Sequence, residues 1–579
     1  MIENQSIRVV IGIDFGTSRS GYAYAFVDDK RVVVPNQWDD EPIPYIKTLT
    51  QILYSPDQKV EAWGWTARKR LAQLRKDKTA RDYSFFHNFK MQLREAKERT
   101  LEGPVMTNNN GQKFLVLNLI ADYLTRIKTV VRQEIDAATS GFLKDNEILW
   151  CLTIPAIWTD ADKQLMRRAA QKAGLINSSS DDAERLLLVL EPEAAAIACQ
   201  EKDKSQLKPG TRFMVVDCGG GTVDITTHEV VAGKGLKEIV EGTGGAYGST
   251  YVDRSFREYL EKKLTPEVIG RFHDEEPIDY LEMMADWERT KCNFDPQKSG
   301  DTIYFGIQTK LYKMLVKDYP QVLESLAEQQ DGDEVAIHLD LNTMKAIFTP
   351  TLDGLVQKVE EQLKKLGNRG CDIIYLVGGF STSPLLRQQI EARFGTQVQK
   401  IVMPTYPGAA IVEGAVSFGL NPSVIRSRRS RLTYGCRMSA PFNDELDLKS
   451  KRFFAEDKND WYCYDRFDTF VLAGESVAVD EKVQKTFTPI NRNQTQMGLK
   501  FYATKKTKVR YTDESEVEQL GELTVEIPDT SKGLDRPVEV TMYFGKTEIK
   551  VEAKDLTSGK QYNTTLRFSS TYSPELIGG

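Results

Sequence analysis

Up to about Leu420, apolar runs with strand periodicity alternate with helix-like stretches. Val9 to Phe15 is β-branched and apolar and ends at Gly16, and Ser20 to Val27 alternates as a hairpin partner would. Ile148 to Ile154 is a second apolar run, stopped by Pro155. Thr159 or Asp160 can then cap a helix that runs to Ala173 and stops at Gly174. Leu186 to Leu190 predicts a short buried strand, and Pro192 opens an alanine-rich helix at its first turn. Phe213 to Val216 and Val223 to Val231 predict a second glycine-linked hairpin. Ile373 to Val377 predicts a strand, followed by Gly378-Gly379 and a helix from Pro384 to Phe394. Such alternation implies layered α/β lobes. Beyond Leu420 the pattern turns all-β, with runs at Gly521 to Ile527, Val538 to Phe544 and Thr547 to Ala553. Between the two regimes, Arg426, Arg428, Arg429 and Arg431 crowd a stretch that reads as a solvated linker.

Composition narrows the class without naming an activity. The 579 residues suggest roughly three or four folding units. With 40% hydrophobic and 28% charged residues the chain is too apolar to be disordered. A net charge of −6 lacks the basic excess of a general nucleic-acid binder. No apolar run approaches the roughly 20 residues that span a bilayer, and the first residues have no basic or apolar leader character. The seven cysteines are scattered singly, which suits reduced thiols and a cytoplasmic setting. The four histidines are equally scattered, which argues against a His-rich metal site.

The most informative feature is an internal echo. Ile13-Asp14-Phe15-Gly16-Thr17-Ser18 and Val216-Asp217-Cys218-Gly219-Gly220-Gly221-Thr222 share a pattern of apolar residue, Asp, glycine and hydroxyl, each between two strands. Glycines let backbone N–H groups turn onto an anion. A Thr or Ser hydroxyl adds a donor, and an Asp at the strand end offers a carboxylate to a phosphate-bridging Mg²⁺. Either motif alone reads equally well as a structural hairpin; the pair points to phosphate binding. A Rossmann site is disfavoured, because Thr222-Val223-Asp224-Ile225 continues as a strand rather than a helix.

These two motifs resemble the phosphate motifs of the actin/hexokinase/heat-shock ATPase superfamily, and Leu376-Val377-Gly378-Gly379 with Ser383-Pro384 resembles its adenosine motif. Thr153-Ile154-Pro155-Ala156 and Leu190-Glu191-Pro192-Glu193-Ala194-Ala195-Ala196 resemble the seventy-kilodalton heat-shock chaperones. Phe89-Lys90-Met91, Gly242-Thr243-Gly244-Gly245, Leu432-Thr433-Tyr434-Gly435 and Met542 to Ile549 are similar to the divergent, lidless member-12 branch of that family.

The resemblance implies a two-lobed, actin/hexokinase-like α/β ATPase domain, with duplicated ribonuclease-H-like lobes, over 1–422. It implies an arginine-rich linker at 423–434, a sandwich-like all-β domain for a polypeptide or other partner at 435–568, and a short tail at 569–579. It implies ATP or ADP with Mg²⁺ as cofactors. Asp14 and Asp217 then become metal-side carboxylates acting through water. Gly16, Thr17, Ser18, Gly219, Gly220, Gly221 and Thr222 become phosphate contacts. Lys90 is expected near the γ-phosphate, Glu191 to orient the attacking water, and Asp224 as a further carboxylate of the site. Gly248, Glu288, Lys291, Gly378 and Gly379 become nucleoside-side contacts, although Glu288 and Lys291 also read as a plain i,i+3 ion pair.

Several positions depart from the family pattern. Phe380-Ser381-Thr382 stands where an adenine-stacking arginine is usual, and Gly408 where an Asp is usual. Arg19, Lys163, Glu193 and Asp295 are likewise atypical. The helical lid and the acidic co-chaperone tail of the family are not expected, and co-chaperones stay open. The leading reading is an atypical, slow ATPase coupled to a β-rich binding module. The alternatives are a nucleotide-sensing scaffold with little turnover, or a small-molecule kinase in which Asp217 acts as general base.

Overall fold

The computed structural model describes residues 7–565, apart from 42–43, 101, 109–110, 178–183, 204–206, 480 and 545–548. The expected tail at 569–579 and the Gly545 to Glu548 stretch of the resemblance lie outside the described residues.

Two central sheets repeat one plan. In the first, Leu186–Leu190, Ile148–Ile154, Val9–Asp14, Arg19–Phe26 and Thr48–Leu49 lie side by side, the first three parallel and the last two antiparallel. In the second, Lys400–Val402, Ile373–Val377, Arg212–Cys218, Val223–Val231 and Gly235–Gly245 follow the same order and directions. Val9–Asp14 and Ile148–Ile154 are buried throughout their length, which explains their unbroken apolar character. The predicted helix after Pro155 is present as Asp160–Lys172. Thr159 Oγ1 accepts from Asp162 N at 3.2 Å, and Asp162 Oδ2 accepts from Thr159 N at 3.0 Å, a reciprocal cap.

Between the two sheets lie Glu191–Lys202 and Ala410–Leu420, rich in Ala and Gly. Ala194, Ala198, Val412 and Ala415 share one core with Val10 from the first sheet and Val215 from the second. Small side chains let the helices pack closely, and the two lobes are thereby joined at their base. Each lobe carries a second layer over its sheet. Val116–Thr139 covers the first, while Ser249–Leu264, Pro277–Asn293 and Leu341–Lys365 build up the second.

The C-terminal part is a sandwich. A five-stranded sheet (Arg452–Ala455, Asp460–Val471, Thr433–Pro441, Gln496–Thr504, Glu518–Glu526) faces a four-stranded one (Lys482–Phe487, Val538–Tyr543, Lys550–Asp555, Gln561–Thr565). Cys436 and Phe501 from one sheet share a core with Val540 and Val551 from the other. The fold is thus an α/β architecture of two lobes, as expected, followed by a β-rich domain.

The arginine stretch differs from its expectation. Instead of a solvated linker within 423–434, Ile425–Arg429 is a strand. It pairs parallel to Gly235–Gly245 and antiparallel to Ser476–Ala478, so one sheet runs from the second lobe into the C-terminal part. The physical reason is that partners await the arginines: an acid for Arg428 and backbone carbonyls for Arg429 and Arg431. Arg428 lies buried on Glu193, with its Nε and Nη2 at 2.6 and 2.7 Å from the two carboxylate oxygens. Arg429 N donates to Glu238 Oε2 at 2.7 Å, and Arg431 donates to the Ala156 carbonyl.

Candidate functional site

A cleft of about 1660 Å³ opens between the lobes, and its floor is made by the two glycine hairpins. Asp14 ends the first strand of one lobe, and Asp217 lies one residue before the end of the matching strand in the other. The turns that follow approach each other closely. A methyl group on Gly220 would sit 2.5 Å from Ser18 Oγ, and one on Gly221 would sit 2.6 Å from Thr17 Oγ1. Glycine permits this approach, which sets the two turns side by side along the cleft. Gly16, Thr17, Ser18, Gly219, Gly220, Gly221 and Thr222 all line the cleft.

Lys90 and Glu191 meet on the cleft floor. Lys90 comes just ahead of the short helix Gln92–Glu95, and Glu191 opens Glu191–Lys202, yet Nζ and Oε1 are 2.6 Å apart and both side chains are buried. The Lys90 ammonium also lies 5.4 Å from the Trp158 ring centre and 5.9 Å from that of Phe15. Burial pushes the Glu191 carboxyl up, the Lys90 ammonium pulls it back, and it comes to about 7. Burial raises Asp217 well above the ordinary carboxylate range, and the charges of Glu191, Asp224 and Asp14 add to the effect. Asp217 Oδ1 is buried without a hydrogen-bond partner among the described residues. Asp224, paired across the hairpin with Asp217, accepts from Ile157 N at 3.1 Å.

The nucleoside-side candidates divide. Gly378 and Gly379 line the cleft. Gly378 has φ +81°, and a methyl group there would lie 2.6 Å from Asp217 Oδ1. Glu288 and Lys291 line it too, on Pro277–Asn293. Lys291 Nζ is 2.5 Å from Glu288 and 2.7 Å from Asp253, so the i,i+3 ion pair is real and has a third member. Gly248 stands behind the glycine turn rather than in the cleft. It precedes Ser249–Leu264, whose first N–H groups, on Ser249 and Thr250, bond to the carbonyls of Gly219 and Gly220. Phe380 is buried in the second lobe's core. Lys163 pairs with Asp160 at 2.7 Å.

Sequence reasoning missed Lys47. It precedes the strand Thr48–Leu49, lines the cleft, and holds its Nζ 2.6 Å from Asp14 Oδ2. Burial would push its ammonium down, but Asp14 above all, with Tyr45 and then Asp217, holds it above the ordinary value. The contact joins residues 33 positions apart, and a lysine after Tyr45-Ile46 carries no pattern that announces it.

The family model described as Hsp70 protein matches residues 10–419, which take in the whole cleft. The chain belongs to the Hsp70 family. Heat shock 70 kDa protein 12A of Homo sapiens and that of Mus musculus are each 30% identical to it, over 98% of this chain and 92% of theirs. Heat shock 70 kDa protein 12B of Homo sapiens is 29% identical over the same shares. The Hsp70 family brings with it an ATPase-type fold and, in its members generally, nucleotide, Mg²⁺ and polypeptide binding. Among the described residues no helix is long and apolar enough to cross a membrane.

Proposed function

We propose that this chain binds ATP or ADP with Mg²⁺ between the two glycine hairpins, hydrolyses ATP slowly, and couples that site to a β-rich domain for a polypeptide or protein partner. The observation that carries the reading is the meeting of the hairpins, Gly220 against Ser18 and Gly221 against Thr17, above a floor of buried carboxylates. The phosphates would lie against the backbone N–H groups and hydroxyls of Gly16 to Ser18 and Gly219 to Thr222. Gly378 and Gly379 would let the nucleoside approach the backbone, with Glu288 and Lys291 at its edge.

The residues present fit a divalent cation. Asp217 Oδ1 is buried and unpartnered, and Asp14 faces it across the floor. Both would hold the ion through its water shell, as Mg²⁺ commonly prefers. When bound, Mg²⁺ would neutralise phosphate charge and orient the phosphates. The chain's own groups do the rest. Ionised Glu191 accepts a hydrogen bond from the attacking water and aims it, while Lys90 offsets the charge that spreads over the transferred phosphoryl oxygens. In the sandwich, Arg452–Ala455 and Glu518–Glu526 are edge strands of their sheet, where an extended peptide can add by backbone hydrogen bonds. Nucleotide work thus belongs to 1–422 and partner work to 435–568. The seven free cysteines support a cytoplasmic setting.

One observation favours the scaffold reading as runner-up. The Lys90–Glu191 pair engages both groups with each other at 2.6 Å. Turnover requires them to part, so nucleotide is held more readily than it is cleaved. Asp14→Asn and Asp217→Asn test the assignment through ATP titration with and without Mg²⁺ and through phosphate release. Each variant should lose Mg²⁺-dependent phosphate release; wild-type release in both would show the carboxylates misassigned.

A further inference from the structure

The cleft floor holds three carboxylates, Asp14, Glu191 and Asp217, with Asp224 buried next to Asp217, against two ammonium groups, Lys90 and Lys47. Lys90 belongs to Glu191. Lys47 lies on Asp14, its Nζ 2.6 Å from Oδ2 and its side chain only 11% exposed. Its backbone is fixed as well. The Lys47 carbonyl accepts from Arg19 Nη1 at 3.0 Å, and its Cγ packs so near Gly21 that a methyl group there would come within 2.9 Å. The next residue, Thr48, pairs in register with Ser20, two positions beyond Ser18 of the phosphate turn. A buried ammonium is costly unless it is paired. This one sits on the aspartate that faces the metal position, at the foot of the phosphate cradle.

We propose that Lys47 is a built-in counter-cation for the nucleotide phosphates, sharing the charge neutralisation that a divalent metal supplies, so that nucleotide affinity depends only weakly on Mg²⁺. The inference rests on the nucleotide site proposed above. A lysine suits the task because its ammonium is a compact charge on a flexible stem and can turn from Asp14 to a phosphate oxygen. A divalent cation still has a place, since Asp14 and Asp217 both border the phosphate cradle and Asp217 Oδ1 has no hydrogen-bond partner among the described residues. Lys47 therefore lowers the need for the metal without excluding it. If Lys47 were only a structural partner of Asp14, removing it would leave the metal dependence as it was.

The test is calorimetric titration of ADP and ATP into the full chain, in excess Mg²⁺ and in excess EDTA. The ratio of the two dissociation constants is the readout. For the wild type the expected ratio is below about tenfold, and for Lys47→Met about a hundredfold or more. Lys47→Arg keeps the charge and should stay near the wild-type ratio; its melting curve also shows whether the position tolerates change. Equal ratios in wild type and Lys47→Met overturn the proposal. So does a wild-type ratio of about a hundredfold by itself, which decides the matter even if Lys47→Met fails to fold. Absence of any nucleotide binding by the wild type in Mg²⁺ overturns the nucleotide site itself, a result distinct from binding with strong metal dependence.

Discussion

Glu191 carries the clearest pH signature of any single residue. Burial lifts its carboxyl and Lys90 draws it back, leaving it at about 7. It must be ionised to accept a hydrogen bond from water, so ATP hydrolysis should rise with pH through about 7 and level off above it. Glu191→Gln should flatten that profile and slow phosphate release by about a hundredfold or more while leaving nucleotide affinity nearly unchanged. A wild-type profile that is flat across neutrality would count against the role. Glu191 was legible because a carboxylate closing a run of five apolar residues, ahead of a proline, is hard to explain by packing alone. The ionic partners were not. Lys90 meets Glu191 across 101 positions and Lys47 meets Asp14 across 33, and charge pairs at such separations leave no periodic trace. Gly248, expected in a loop near the ribose and phosphates, packs against the glycine turn, its N–H bonded to the Gly221 carbonyl.

Among the elements, the strand Ile425–Arg429 departs most from what its residues announce. Four arginines within six positions read as solvated, yet Arg428 is buried against a carboxylate 235 positions earlier. Burial would raise Glu193, but the Arg428 guanidinium overrides it and holds the acid below its ordinary value. Removing one partner leaves a buried charge unpaired, at a cost of about 3–5 kcal/mol. Arg428→Met should therefore lower stability in chemical denaturation by about that much, and adding Glu193→Gln should recover most of it. Additive losses in the double variant would contradict a direct pair. The inner strands of the two central sheets were legible because they are buried on both faces and read as continuous apolar runs, as in Ile148–Ile154; the half-buried Gly235–Gly245 and the short Thr48–Leu49 and Lys400–Val402 carry no such run. The helix Asp160–Lys172 was legible from its Thr159 cap.

At the scale of the whole molecule, the second lobe and the C-terminal part are joined through one sheet. Ser476–Ala478, from the C-terminal part, pairs with Ile425–Arg429, which pairs with the second lobe. A shared sheet and a buried ion pair tie the parts more tightly than the sequence suggested, since an arginine-rich connection incurs a desolvation cost that only waiting partners offset. Scanning calorimetry should accordingly show the second lobe and the sandwich unfolding in one transition, and Arg428→Met should split it. Two separate transitions in the wild type would show the junction to be weak. The duplication itself was legible from the repeated Asp-and-glycine motif; the order of strands within each sheet was not, because parallel neighbours such as Val9–Asp14 and Ile148–Ile154 are brought together only by the tertiary fold. The central claim is that the two hairpins grip phosphates between them, and Gly220 tests it most directly, since any side chain there meets Ser18 and fills the space between the turns. Calorimetric titration of ATP with Mg²⁺ into wild type and Gly220→Val should give saturable, one-to-one binding by the wild type and a loss of at least about a hundredfold in the variant, with both proteins melting as folded chains. Equal affinities, or no binding by the wild type, would contradict the account.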